Sequence, residues 1–273
     1  MHEVLNALGV TVGAVLLAWL GHRLARMPGR AWMWGWIVPL LVLYLAAFGL
    51  NFRKYAFMPP MCWLVGGWSR WIVIAWSASL TLGTLIAKLP RASTRRIIWF
   101  LCGVIILRTA TLPFLSPLFS KSSLGCLTTT MDQDDVCIQG TPYSCGPAAA
   151  VTALRKLGFK AEESQMAALS GTTVLIGTPD DMLTEALRKE YGPQGLTVEW
   201  RYVASVDELR AWPVSIAVIK YNQFVDHYVT VLGFEGDQIV VGDPLSGKNV
   251  EPIEEFLKTW HHVAILMKRE GKP

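Results

Sequence analysis

Acidic side chains are almost missing from the first 119 residues, where Glu3 stands alone against eleven Lys or Arg and nine of the chain's 12 Trp. Residues 120–273 hold the other 20 acids, with 14 bases. A split this sharp excludes one uniform water-soluble globule and places the two halves in different solvents. A Gly-rich phosphate loop of the form GxxxxGK followed by Ser or Thr is also lacking, which excludes ATP-driven transport by this chain itself. CxxC spacing is lacking too, since Cys126 and Cys137 stand too far apart and no second ligand pair follows, which speaks against a zinc site. There is no internal repeat, no low-complexity tract, and no basic patch suited to nucleic acid.

What the first half does contain is long apolar runs, at 4–20, 31–50, 71–87 and 97–118. A spanning helix needs about 20 residues, with about 17 as the lower limit, so the runs predict about four transmembrane helices in an all-α domain over 1–119. The fourth is interrupted by Arg108 and followed closely by Pro113 and Pro117. An arginine inside a span costs several kcal/mol unless it snorkels or finds a partner. The first run reads as an anchor and not a cleaved signal, because Met1-His2-Glu3 offers no basic n-region and Arg23 and Arg26 follow the run. Tryptophans 19, 32, 34, 36, 63, 68, 71 and 99 lie near the ends of the runs, where indole rings settle at the headgroup level. Basic residues collect between the first and second runs (Arg23, Arg26, Arg30) and between the third and fourth (Lys88, Arg91, Arg95, Arg96). The positive-inside rule then gives a multi-pass protein of the cell membrane with its C-terminal domain on the extracytoplasmic side, provided 97–118 crosses.

In the second half the most telling stretch is Tyr143-Ser144-Cys145-Gly146-Pro147, which runs into the helix formers Ala148 to Leu154 and is closed by Gly158. It predicts a helix over 147–157 with Cys145 at its positive end, where a thiol that ordinarily titrates near 8.5 is shifted toward the thiolate. A small cysteine that only packs well would fit there too. A cysteine hydrolase also needs a base, an orienting group and donors for the oxyanion. His227 enters one apolar strand and Asp243 ends the next, and the Gly236-Asp237 turn between them predicts an antiparallel pair that sets both at one sheet end. Gln139, six residues before Cys145, lies on the incoming loop. Taken singly, His227 reads as a structural histidine and Asp243 as a turn residue. Their joint occurrence at strand ends and a helix start is what makes a site. His261 and His262 follow Trp260 at the entry of the last strand and have no Asp-Pro turn after them, so they read as structural.

From Gln139 to about Met267 the chain resembles the C39 peptidases, papain-like cysteine proteases best known for removing double-glycine leader peptides. The resemblance is carried by Gln139, by Cys145-Gly146-Pro147-Ala148-Ala149, and by Met166 to Thr173 with Gly177-Thr178. His227-Tyr228-Val229-Thr230-Val231-Leu232-Gly233 and Val241-Gly242-Asp243-Pro244-Leu245-Ser246-Gly247 complete it. It implies Cys145 as nucleophile, His227 as general base, Asp243 as orienter of the imidazole and Gln139 as oxyanion donor, with no metal, nucleotide or other cofactor. Aspartate often precedes the family's cysteine, and Ser144 stands there. Family members that process bacteriocins are usually joined to an ATP-driven exporter, whereas here a membrane segment precedes the peptidase. The resemblance therefore speaks to the chemistry better than to the substrate.

The remaining pattern predicts helices at 162–169, 179–190, 206–211 and 253–259, with Ser205-Val206-Asp207-Glu208 as a capping box, and strands at 197–203, 214–220, 227–234, 238–241 and 263–268. That is an α+β, papain-like peptidase domain over 137–273, joined by a 120–136 linker to the all-α membrane domain. Cys126 and Cys137 flank the end of the linker and are candidates for a disulfide in an oxidising compartment. The expected partners are a secreted or membrane-tethered peptide or protein substrate, the lipid bilayer, and an exporter or other membrane partner, with no nucleic acid. The same thioester chemistry serves a thiol acyltransferase or transpeptidase, and an inactive peptide-binding module would keep the fold alone.

Overall fold

The computed structural model describes residues 2–222 and 225–271, so the C-terminal limit drawn at Pro273 lies outside the described residues. It forms two compact units, Met1–Phe119 and Ser120–Pro273.

In the first unit the apolar runs are helices α1 (His2–Leu24), α2 (Trp34–Asn51), α5 (Ser69–Lys88) and α6 (Ala92–Ile106), with the short helices α3 (Arg53–Ala56) and α4 (Met61–Val65) between α2 and α5. Leu107–Thr111 forms one π-helical turn and continues into α7 (Leu112–Gly125), inside which the boundary between the units falls. Four helical stretches, His2–Leu24, Trp34–Asn51, Ser69–Lys88 and Ala92–Gly125, are long and apolar enough to cross a membrane. The fourth stays helical through both prolines. Pro117 has no N–H to give the Pro113 carbonyl, and the Ser116 hydroxyl donates to that carbonyl instead at 2.6 Å. The wider π turn just ahead of Pro113 accommodates the first ring.

Helices α1 and α5 meet along a seam of small residues. Ala7, Val10, Ala14, Ala18 and Gly21 are the buried face of α1. A Cβ on Gly83 would collide with the Ala18 carbonyl, and one on Gly21 with the Leu80 carbonyl. The Trp76 indole donates to the Val10 carbonyl at 3.1 Å across the same seam. Close backbone approach of this kind is how helices hold together where lipid removes the hydrophobic drive. Gly83→Leu is therefore expected to lower stability by about 1–3 kcal/mol, read as a drop in the melting temperature of the detergent-solubilised chain; an unchanged melting temperature would remove this seam as a structural determinant.

In the second unit, β1 (Thr130–Met131) and β2 (Cys137–Ile138) form a small antiparallel ribbon ahead of α8 (Cys145–Lys156). Residues 120–136, expected as a linker, thus carry the end of α7 and the strand β1. Helices α9 (Glu163–Leu169) and α10 (Asp180–Tyr191) follow, then β3 (Leu196–Tyr202), α11 (Val206–Arg210), β4 (Val214–Lys220), β5 (Asp226–Glu235), β6 (Gln238–Asp243), β7 (Gly247–Pro252), α12 (Ile253–Thr259) and β8 (Trp260–Arg269). The six longer strands make one antiparallel sheet in the order β3-β8-β4-β5-β6-β7. The architecture is α+β and papain-like, as expected from the sequence.

Alternation along β5 shows how the sheet is covered on both faces. Val229 and Val231 join Val241 and Leu266 in an apolar core with Leu209 of α11 and Phe256 of α12. Thr230 points the other way, and its hydroxyl donates to the Ala149 carbonyl of α8 at 2.9 Å. Helix α8 is buried along Gly146–Leu154, which is why four alanines and a glycine dominate that segment. Burial of such a helix requires small side chains on every face. The capping box at Ser205 forms only in half: Glu208 takes the Ser205 N–H, as well as the Ala204 N–H at 3.0 Å, while the Ser205 hydroxyl makes no cap bond. Arg201 holds the Glu208 carboxylate and, with those N–H groups, keeps its pKa below the usual carboxylate value.

Candidate active site

Cys145 is the first residue of α8, two residues earlier than the sequence placed the helix start. The loop before it is closed on itself. The Thr141 N–H donates to Ser144 Oγ at 3.1 Å, and that hydroxyl donates back to the Thr141 carbonyl at 3.1 Å. Ser144 then accepts the first intrahelical bond, from Ala148 N–H at 3.0 Å, so Pro147 falls in the first turn where a missing N–H costs nothing. Cys145 is half-buried and stands at the start of a helix that is buried along Gly146–Leu154.

Gly146 allows Thr178 to press against this helix start, since a Cβ there would lie 2.9 Å from Thr178 Cβ. The Thr178, Thr172 and Ser170 hydroxyls form a buried chain with spacings of 2.7 and 3.1 Å. Tyr228 donates to the Thr178 carbonyl at 2.9 Å. Through that bond and the Thr230 bond to Ala149, the entry of β5 is fixed against the start of α8, and His227 with it.

His227 is the second residue of β5 and is 5% exposed. The β5 and β6 register, Thr230 opposite Gly242, brings Asp243 to the same strand ends, where its Oδ1 lies 2.7 Å from His227 Nε2. With Nε2 engaged, Nδ1 is the ring nitrogen left for Cys145, which is near enough to act on the protonation of the imidazole. Burial is the largest single influence on His227 and opposes its charge, but the Asp243 and Cys145 hydrogen bonds and their charges together outweigh it. The imidazole pKa is raised from 6.5 to about 9. Asp243 moves the opposite way: burial pushes it up, and the bonds from His227, the Leu245 N–H and Ser246 bring it below its ordinary value. The Leu245 N–H donates to Oδ1 at 2.8 Å and the Ser246 hydroxyl to Oδ2 at 3.2 Å, with Asn249 Nδ2 donating to Ser246 Oγ at 2.7 Å. The sequence weighed Asp243 as either site or turn residue, and its carboxylate bonds its own turn while it also holds the His227 ring. Ser246 and Asn249 were missed, although an Asp-Pro-Leu-Ser-Gly turn signals side-chain bonds of this type.

Gln139 directly follows β2. Its N–H donates to the Pro244 carbonyl at 2.9 Å, which ties it to the turn that carries Asp243. Its side-chain Nε2 donates to the Thr141 carbonyl at 2.7 Å, leaving one amide hydrogen uncommitted and Oε1 buried without a partner. The next residue, Gly140, gives its N–H to the fully buried Glu163 at 2.9 Å. Glu163 was also missed, since an acid opening a helix reads as an ordinary favourable dipole contact.

The Peptidase C39 family model matches residues 134–272, which is 139 of the 273 residues. The chain belongs to the peptidase C39 family. It is similar to an uncharacterized protein of Methanothermobacter marburgensis, 30% identical over 138 residues that make up 50% of this chain and 91% of that one. A second uncharacterized protein, from Methanothermobacter thermautotrophicus, is 26% identical over 143 residues, 52% of this chain and 94% of the other. Among solved structures, it is similar to the peptidase domain of Streptococcus ComA, a bi-functional ABC transporter involved in a quorum sensing pathway. That match has 24% identity, a TM-score of 0.42, and covers 49% of this chain and 96% of the domain. A double glycine motif protease from an AMS/PCAT transporter, solved with the leader peptide, matches at 22% identity and a TM-score of 0.41, over 52% of this chain and 94% of that one.

The other two histidines of the C39 unit have partners of their own. His261 pairs with Asp226 at 2.9 Å. His262 has a left-handed φ of 57° and stacks on Trp260 with ring centroids 4.5 Å apart, at the irregularity where β8 departs from register with β4. The expected disulfide is absent: Cys126 and Cys137 are both free. Cys137 is buried beneath α8 with its N–H on Thr152 Oγ1 at 2.9 Å, while Cys126 is exposed after α7. Burial first, and the neighbouring Glu163 charge second, push the Cys137 thiol up to about 12, so it stays an unreactive thiol.

Proposed function

We propose that the chain is a membrane-anchored cysteine endopeptidase, with residues 1–119 as its membrane domain, 120–136 as a linker and 137–273 as the peptidase domain. Cys145 is the nucleophile, His227 the base and acid, and Asp243 the orienter of His227. Gln139 and the Cys145 backbone N–H stabilise the oxyanion. The observation that carries this reading is the 2.7 Å contact of His227 Nε2 with Asp243 Oδ1, on an imidazole whose protonation Cys145 also supports.

An imidazole held protonated to about 9 stabilises a thiolate beside it at neutral pH. The thiolate attacks the peptide carbonyl, and the developing oxyanion draws on the free Gln139 amide hydrogen and the helix-start N–H. His227 protonates the leaving amine, then takes a proton from the water that hydrolyses the thioester. The substrate is a secreted or membrane-tethered peptide or protein cut near the outer membrane face, and an exporter or another membrane protein supplies it. Basic loops between the candidate spans support that sidedness.

A thiol-directed, peptide-based activity probe applied to the full chain in membranes tests the assignment. Cys145 is expected to be labelled far faster than exposed Cys126, and Cys145→Ala to lose that label while keeping the slow one. Equal labelling of the two cysteines would remove the peptidase assignment. Comparing protein termini in cells carrying either form separates hydrolysis from acyl transfer: new amide or lipid adducts, with no loss of cut ends in the Cys145→Ala cells, would point away from proteolysis.

A further inference from the structure

Arg108 lies near the middle of the helical stretch Ala92–Gly125. The apolar run 97–118 around it is about 33 Å long at about 1.5 Å per residue, close to the roughly 30 Å hydrocarbon thickness of a bilayer. Arg108 stands about 15 Å from either end of that run. Arginines that lift their charge to the interface do so from near helix ends, so this position is the least suited to it.

The side chain is exposed and shares its face with the exposed Ile97, Phe100, Leu101, Val104 and Leu107. Lipid accounts for those five, and not for the guanidinium. Gly103 borders the same face, and a side chain there would meet open space.

No carboxylate of the membrane unit reaches Arg108. Glu3 is the unit's one acid. The Thr11–Thr111 hydroxyl pair at 2.9 Å and the His22–Trp99 ring pair at 6.0 Å set α1 antiparallel to the fourth helical stretch. Glu3 is eight residues to one side of the Thr11–Thr111 level and Arg108 three to the other, which separates them by about 16 Å along the bundle. An ionised group at mid-bilayer is retained where it meets a partner of opposite charge.

We propose that this face docks a partner transmembrane helix that carries a carboxylate at mid-bilayer depth. The acid pairs with Arg108, Gly103 lets the two backbones approach, and Phe100, Val104 and Leu107 fill in around the pair. The proposal rests on the membrane reading of residues 1–119.

The test uses the full chain in phosphatidylcholine vesicles and a dansyl-labelled polyleucine transmembrane peptide with one central Asp, or Leu in its place. Energy transfer from the chain's tryptophans reads association. The Asp peptide is expected to bind about tenfold more tightly than the Leu peptide. Arg108→Leu is expected to erase the difference and Arg108→Lys to keep most of it. Equal binding of the two peptides, or an Asp preference that survives Arg108→Leu, overturns the proposal. An Asp preference that disappears when phosphatidylglycerol replaces phosphatidylcholine assigns Arg108 to lipid phosphate and overturns it as well. Release of the chain from the vesicles by alkaline carbonate sinks the membrane reading and the docking together, whereas carbonate resistance with equal peptide binding sinks the docking alone.

Discussion

His227→Ala is expected to lower kcat/KM for peptide hydrolysis by about ten-thousand-fold. The imidazole is near enough to Cys145 for each to act on the other's charge, and in the proposed mechanism it is the counterion of the thiolate. Without it, both the activation of the nucleophile and protonation of the leaving amine are lost, and these effects act as one unit. The fold should survive the change, because Asp243 keeps the Leu245 and Ser246 bonds and β5 keeps the Tyr228 and Thr230 bonds to its neighbours. Steady-state kinetics beside a thermal melt checks both halves of the prediction. Activity within tenfold of the native chain, with an unchanged melt, would move the base to another residue; His261, already paired with Asp226, would be examined next.

Asp243→Asn carries the second large effect, expected on the order of a hundredfold in kcat, together with a shift that a purely structural residue would not produce. His227 stays protonated up to about 9 partly through its bond to Asp243 and the charge of that carboxylate. Activity that depends on the charged imidazole should therefore fall as pH rises through about 9, and in the variant the alkaline limb should move to lower pH. Stability follows the same sign. A histidine whose folded pKa is raised stabilises the fold fully below its unfolded value near 6.5, and that contribution is lost as pH rises through about 9. The lowered Asp243 pKa stabilises above the unfolded carboxylate value, near 3.9, and is lost as pH falls through its folded value. The pair thus contributes in full between about pH 4 and 6.5. The variant's deficit in melting temperature should be largest there and shrink above pH 9. An alkaline limb that stays in place would show that Asp243 does not set the imidazole's protonation.

The placement of Cys145, His227 and Asp243 was legible because each sits where a local signal fixes an element end: a proline in the first helical turn, a strand entry, an Asp-Pro turn. The five main helices and five long strands of the C39 unit were legible from apolar periodicity for the same reason. Strands β1, β2 and β7 were not. Cys137-Ile138 is too short to show a period, and Gly247–Pro252 is exposed along most of its length, so neither carries the alternation that burial imposes. Glu163 and the hydroxyl chain of Ser170, Thr172 and Thr178 were invisible for another reason: their partners lie in distant segments, and only the folded chain brings Gly140 or Gly146 beside them. The disulfide failed on direction. Sequence spacing allowed it, but Cys137 points into the core below α8 and Cys126 remains on the surface.

Strand β8 is the last of the sheet along the chain, yet it lies between β3 and β4, one strand in from the edge. During synthesis, therefore, the sheet stays divided until the final strand has left the ribosome, with β3 on one side and β4 to β7 on the other. A chain without β8 holds Cys145 and His227 on a divided sheet, so the candidate site is completed only when that strand is inserted.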